Sequence, residues 1–177
     1  MNYLALAIGL LAVFFYMLGY LQKKKKNILL LNLTSRLLYI LQYLLLGAFS
    51  GAVLDVAGAI STVVAGRKNT PFIKKHLWIV IAAVNVLILG SGIYVQILTK
   101  DPLGVLPIVG VLCHINAFWF EKERNVRRLS ILGSPFWLAY NFLSGAYGSC
   151  VGDILSMVSL GISMYRYDRT PKMKEQE

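Results

Sequence analysis

Seven stretches of about 17–22 apolar residues follow one another along this chain, and its charges gather in the short gaps between them. The stretches cover roughly residues 2–21, 28–46, 50–66, 77–98, 103–120, 126–143 and 150–165. About 20 residues of helix cross a hydrocarbon core of about 30 Å. Lipid offers no partner for an open backbone, and the stretches are too long for barrel strands, so each is predicted to be a transmembrane helix. The composition agrees: 57% of the residues are apolar and only 15% charged, against roughly 45–50% and 25% in soluble domains. A cytosolic enzyme, a disulfide-framed secreted domain and a disordered tail are excluded. The net charge of +10 does not indicate nucleic acid, because the basic residues flank apolar runs and do not form one face.

The basic residues set the predicted orientation. Lys23 to Lys26 follow the first stretch, and Arg67, Lys68, Lys74 and Lys75 lie between the third and fourth. Lys122, Arg124, Arg127 and Arg128 lie at the junction of the fifth and sixth; Arg166, Arg169, Lys172 and Lys174 follow the seventh. The 18 cations, less Lys100 and Arg36, leave 16 on alternate connections. The positive-inside rule then places the N-terminus outside and the C-terminus in the cytoplasm. The first stretch has no basic residue before it and is long, which marks it as a retained helix, not a cleaved leader. Cys113 and Cys150 fall within or beside stretches, so neither a disulfide framework nor a metal site is expected.

A shift of 98 residues aligns 9–68 with 107–166 without a gap. Ten positions are identical, among them Lys24/Lys122, Asn27/Asn125, Gly47/Gly145, Ala48/Ala146, Asp55/Asp153 and Ser61/Ser159. The expected architecture is therefore all-α, with seven transmembrane helices as two parallel three-helix bundles and one linking helix, a 3+1+3 plan. The first bundle is 1–68, the linker with its inverting helix 69–102, the second bundle 103–166 and a basic cytoplasmic tail 167–177. Two bundles so related leave an axial space between them.

Leu45-Leu46-Gly47-Ala48-Phe49, Leu106-Pro107-Ile108-Val109-Gly110 and Tyr140-Asn141-Phe142-Leu143-Ser144-Gly145 carry a family resemblance. Over nearly its whole length the chain resembles the YgjV-type bacterial inner-membrane proteins. Its plan also resembles the SWEET sugar transporters and their PQ-loop and PnuC relatives, although no Pro-Gln dipeptide occurs. The resemblance implies a bacterial inner-membrane location and alternating access by rocking of the two bundles.

Asn32, Arg36, Tyr39 and Tyr43 are spaced by four, three and four, so they share one helix face. The 98-residue shift carries them to Ser130, Ser134, Trp137 and Asn141. Such stripes suit the walls of a small-molecule pocket, and equally suit interhelical hydrogen bonding. Arg36 lies within the second stretch, where an Arg costs at least about 2.5–3.5 kcal/mol and needs a partner. It reads either as an anion-binding cation or as the partner of Asp55 or Asp153. Asp55 and Asp153 read either as ion- or proton-coupling carboxylates or as caps of their own helices. His114 reads as a proton relay or as the donor of one bond to a carbonyl. Ser61 and Ser159 lie in short stretches interrupted by glycine, a pattern found at transporter sites and also in close packing.

No phosphate loop, nucleophile elbow or zinc-protease motif is present. The expected protein is not an enzyme and uses no cofactor. A transporter with a small-solute substrate is expected, bound by Asn32, Arg36, Tyr39, Tyr43, Ser61, Ser134, Trp137, Asn141 and Ser159. The other reading is a membrane receptor or scaffold that binds without transport. The partners expected are a solute and the lipid bilayer, with no nucleic acid and a homo-oligomer left open.

Overall fold

A computed structural model of the chain describes residues 2–20 and 25–168. The basic residues Lys23 and Lys24 and the tail from Arg169 lie outside the described residues. Among those described, every regular element is helical. The helices are α1 (Tyr3–Tyr20), α2 (Lys25–Leu46), α3 (Phe49–Gly66), α4 (Pro71–Lys75), α5 (Leu77–Thr99), α6 (Val105–Ala117), α7 (Glu123–Leu143) and α8 (Tyr147–Ser163). By length and hydropathy α3, α5 and the segment Tyr147–Arg166 are able to cross a membrane, and 3–18, 30–46 and 102–117 are apolar but shorter.

One expectation needs correction. The fifth stretch is not one helix over 103–120. Pro102 has no N–H and starts a 3-10 turn over Pro102–Gly104, which Asp101 caps by accepting the Leu103 N–H at 2.9 Å. α6 then runs only to Ala117, and Phe118, Trp119 and Phe120 close onto carbonyls three residues back. The connection after α3 also holds a short helix, α4, with Pro71 at its first position, where the missing N–H has no consequence.

The two tight helical hairpins have one cause. After α2, Gly47 takes φ +69°, and after α7, Gly145 takes φ +76°. That left-handed turn lets the Ala48 N–H reach Tyr43 O at 2.9 Å and the Ala146 N–H reach Asn141 O at 2.8 Å, satisfying carbonyls the helix end leaves open. Neither glycine has a neighbour within 4 Å of a built Cβ, so conformation rather than crowding requires glycine there.

The packing forms a closed ring. α1 lies against α2 and α8, α3 against α2 and α6, and α7 against α6 and α8, while α5 packs outside on α3 and α6. Contacts recur at an offset of 98 residues. Ser35 Oγ donates to Ala12 O at 2.8 Å where α1 meets α2. At Gly133 and Gly110, 98 further along, α7 meets α6 so closely that a Cβ on Gly133 would stand 2.9 Å from Gly110 O. Tyr140 Oη accepts the Gly51 N–H at 2.8 Å, and Ser149 Oγ donates to Gln42 Oε1 at 2.5 Å; Gln42 and Tyr140, and likewise Gly51 and Ser149, again stand 98 residues apart. Asn85 on α5 and Asn116 on α6 exchange amide hydrogen bonds at 3.1 and 2.7 Å and pin the outer helix to the ring.

The buried core runs through Leu54, Ile88, Val111, Ile115, Tyr43, Trp137 and Tyr140. The outside is apolar as well: α5 alone exposes Trp78, Ile79, Val86, Ile93, Tyr94, Ile97 and Leu98. A helix apolar on every side is at home in lipid, where water imposes no polar face.

Candidate functional site

One cavity of about 60 Å³ lies inside the ring. Each of the six ring helices contributes to it and α5 does not. α2 presents Asn32, Ser35, Arg36, Tyr39 and Tyr43, which the 3.6-residue period brings onto one face. α7 presents Ser134, Trp137 and Asn141, while Tyr16 comes from α1, Asp55 from α3 and His114 from α6. α8 completes the wall with Ser149, Gly152, Asp153 and Ser156.

Arg36 Nη1 donates to Asp55 Oδ1 at 2.6 Å, and Nε donates to Asn32 Oδ1 at 3.3 Å. The side chains are 12% and 6% exposed, so the pair is largely withdrawn from solvent. The reach follows from the hairpin. Arg36 is ten residues before Leu46 and Asp55 six residues after Phe49, about 15 and 9 Å from the turn at 1.5 Å per residue. The remaining offset of about 6 Å lies within one extended Arg. Gly58 provides the room: a Cβ there would stand 2.6 Å from Arg36 Nη1.

Asp153 is held differently. Tyr43 Oη donates to Asn141 Oδ1 at 2.6 Å, which fixes the amide so that its Nδ2 donates to Asp153 Oδ2 at 2.7 Å. Tyr43 and Asn141 are themselves 98 residues apart, so their bond joins equivalent places on α2 and α7. Among the described residues no basic side chain lies within ion-pair distance of Asp153. The position 98 after Arg36 is Ser134, which explains why one carboxylate has a cation and its counterpart does not.

Neither aspartate caps a helix. α3 starts at Phe49 and α8 at Tyr147, six residues before each, and neither start has a side-chain cap bond. The capping alternative is thereby overturned, since a cap must stand just before the first turn. His114 Nε2–H donates to Ser130 O at 2.9 Å, with Ser134 Oγ at 3.4 Å. The donor role follows because a carbonyl only accepts. Tyr43 and Trp137 stack at 6.3 Å and 20°, and Tyr140 lies 6.1 and 6.3 Å from them. Of this aromatic group Tyr43 and Trp137 line the cavity.

Ser61 and Ser159 stand apart from the cavity. Each is six residues beyond its aspartate, which turns it about 120° round the helix. The Ser61 hydroxyl donates to Ala57 O at 2.6 Å within its own helix. Tyr16, Ser35, Ser149, Gly152 and Ser156 are lining residues that sequence reasoning did not select. Tyr16 had a signal in its alignment with His114, and Gly152 and Ser156 belong to the glycine-interrupted pattern of the seventh stretch, which reads both as a transporter-site pattern and as close packing.

Fold and cavity together define an all-helical membrane protein with a polar chamber inside an apolar ring. The chain belongs to the Imp-YgjV family, described as bacterial inner membrane protein, whose family model matches residues 3–171. No curated protein and no solved structure matches the chain.

Proposed function

We propose that this protein is a small-solute transporter working by alternating access. In this reading all seven long helices span the membrane, with the N-terminus outside. α1–α3 and α6–α8 are two parallel repeats, and α5 is the inverting linker. The observation that carries the reading is the cavity: every helix of both triplets contributes a lining residue and the linker contributes none. Charges and amides inside a membrane protein are costly unless they line a solute path or hold one another. The recurrence of contacts 98 residues apart supports two equivalent halves.

The contacts between the halves are few enough to exchange. Toward the hairpins the hydrogen bonds are Tyr140–Gly51, Gln42–Ser149 and Tyr43–Asn141. At the other end Lys68 Nζ reaches Glu121 Oε1 and Phe120 O, both at 3.2 Å. Each is a single bond between rigid helices or their loops, so rocking one triplet against the other breaks few bonds at a time.

The test is uptake into proteoliposomes across a panel of sugars, nucleosides, vitamins, small carboxylates and small cations, with Asn141→Ala alongside. Transport predicts saturable uptake of at least one solute and its loss in a variant that still elutes as a monodisperse species. Tight binding without uptake would favour the receptor reading. Full uptake in Asn141→Ala would remove the cavity from the path.

A further inference from the structure

The cavity has a charge and a hydrogen-bonding sense of its own. Its ionisable side chains are Arg36, Asp55 and Asp153, with His114 directed at a carbonyl and the phenols of Tyr16, Tyr39 and Tyr43. With both carboxyls ionised, one positive and two negative groups sum to −1, and the Arg36–Asp55 pair cancels internally, so the excess resides at Asp153. A carboxylate in a site of low polarity favours a ligand of opposite charge.

The hydroxyls give an independent indication. Ser35 donates to Ala12 O, Ser134 to Ser130 O, Ser149 to Gln42 Oε1 and Ser156 to Gly152 O. Tyr43 donates to Asn141. A hydroxyl has one O–H and two lone pairs, so these five have spent their donors on the protein and turn only acceptors inward. A ligand matched to these five oxygens brings N–H donors. Trp137 and Tyr43 add aromatic surface, which attracts cations within about 6 Å of a ring. Size sets the last limit: at about 10–15 Å³ per water, 60 Å³ holds about four to six water-sized groups.

We propose that the cavity binds a small organic cation rich in N–H donors, of the ammonium or guanidinium class, with Asp153 as its counter-ion. This rests on the transport reading only where it names the transported solute; binding itself does not require movement. In this assignment Asp55 is not the counter-ion, because Arg36 already neutralises it.

Guanidinium is the probe: permanently charged, donor-rich and built of four heavy atoms. Urea has nearly the same planar shape and four N–H donors without the charge, and tetramethylammonium has the charge without donors. Titration calorimetry on the detergent-solubilised full chain should show guanidinium binding at least about tenfold tighter than urea or tetramethylammonium, a gap of about 1.4 kcal/mol. Asp153→Asn keeps an acceptor for Asn141 and should weaken guanidinium on the order of a hundredfold while leaving urea unchanged.

Urea and guanidinium binding alike to wild type would overturn the proposal without any variant having to fold. Guanidinium bound unchanged by a well-folded Asp153→Asn would overturn it too. Uptake of radiolabelled guanidinium into proteoliposomes under an inside-negative potential separates the two readings. Selective binding without uptake sustains the site and defeats transport. Uptake of some other solute with no guanidinium binding sustains transport and defeats the site.

Discussion

Arg36 and Asp55 test whether the chamber is held by charge. Their atoms meet at 2.6 Å with side chains 12% and 6% exposed. With about 4 Å between charge centres and an effective dielectric of about 20, their attraction is about 4 kcal/mol. Desolvation offsets most of this, so the pair adds little net stability while its rupture is expensive. Arg36→Met strands a carboxylate beneath α2, and Asp55→Leu strands a guanidinium; each is expected to cost about 3–5 kcal/mol. The double variant removes both charges and is expected to lie within about 1–2 kcal/mol of wild type, because apolar replacement of a buried pair is often near neutral. Thermal unfolding of the purified protein in mild detergent reads this directly. At roughly 2–4 °C per kcal/mol for a chain of this size, the single variants should melt about 6–20 °C below wild type and the double should recover most of that. Single variants within about 1 kcal/mol of wild type, or a double variant showing the sum of both losses, would refute the reasoning.

Two further outcomes follow from the packing. Gly133→Ala places a Cβ 2.8 Å from Cys113 Cβ and 2.9 Å from Gly110 O, a backbone atom that cannot turn aside; it should cost about 1–3 kcal/mol by overpacking. Gly90→Ala on the open face of α5 has nothing within 4 Å and should be neutral or stabilising, so equal melting temperatures for the two would show that α6 and α7 do not approach as described. The reciprocal Asn85–Asn116 pair predicts a favourable coupling of roughly 0.6–1.7 kcal/mol between Asn85→Leu and Asn116→Leu in a double-mutant cycle of denaturant unfolding in micelles. A coupling indistinguishable from zero would separate α5 from α6 at that level.

Much of the helical framework was legible in the sequence because it depends on local properties. Apolar runs specify helices in lipid, and left-handed hairpin ends require Gly47 and Gly145 whatever lies beyond them. The stripe Asn32, Arg36, Tyr39, Tyr43 was legible for the same reason, since the helical period alone puts those residues on one face. Helix ends were harder. The 3-10 turn at Pro102 and the early end of α6 come from proline and capping effects that an apolar run conceals. Ser61 and Ser159 looked eligible by composition, but rotation about their own helices carries them away from the chamber.

The sequence by itself determined that this is a membrane-embedded helical chain, which faces of its helices are polar, and that Arg36 must find a partner. Only the tertiary structure decided which one. Asp55 and Asp153 occupy matching places 98 residues apart, yet one meets a guanidinium and the other an amide. It also decided that neither aspartate is a cap and that His114 is tied to a carbonyl of the neighbouring helix. The reason is geometric. A helix fixes the direction of each side chain relative to its own axis within one turn, whereas the residue met across an interface depends on the height, tilt and rotation of another helix, and these are set by the packing of the whole ring.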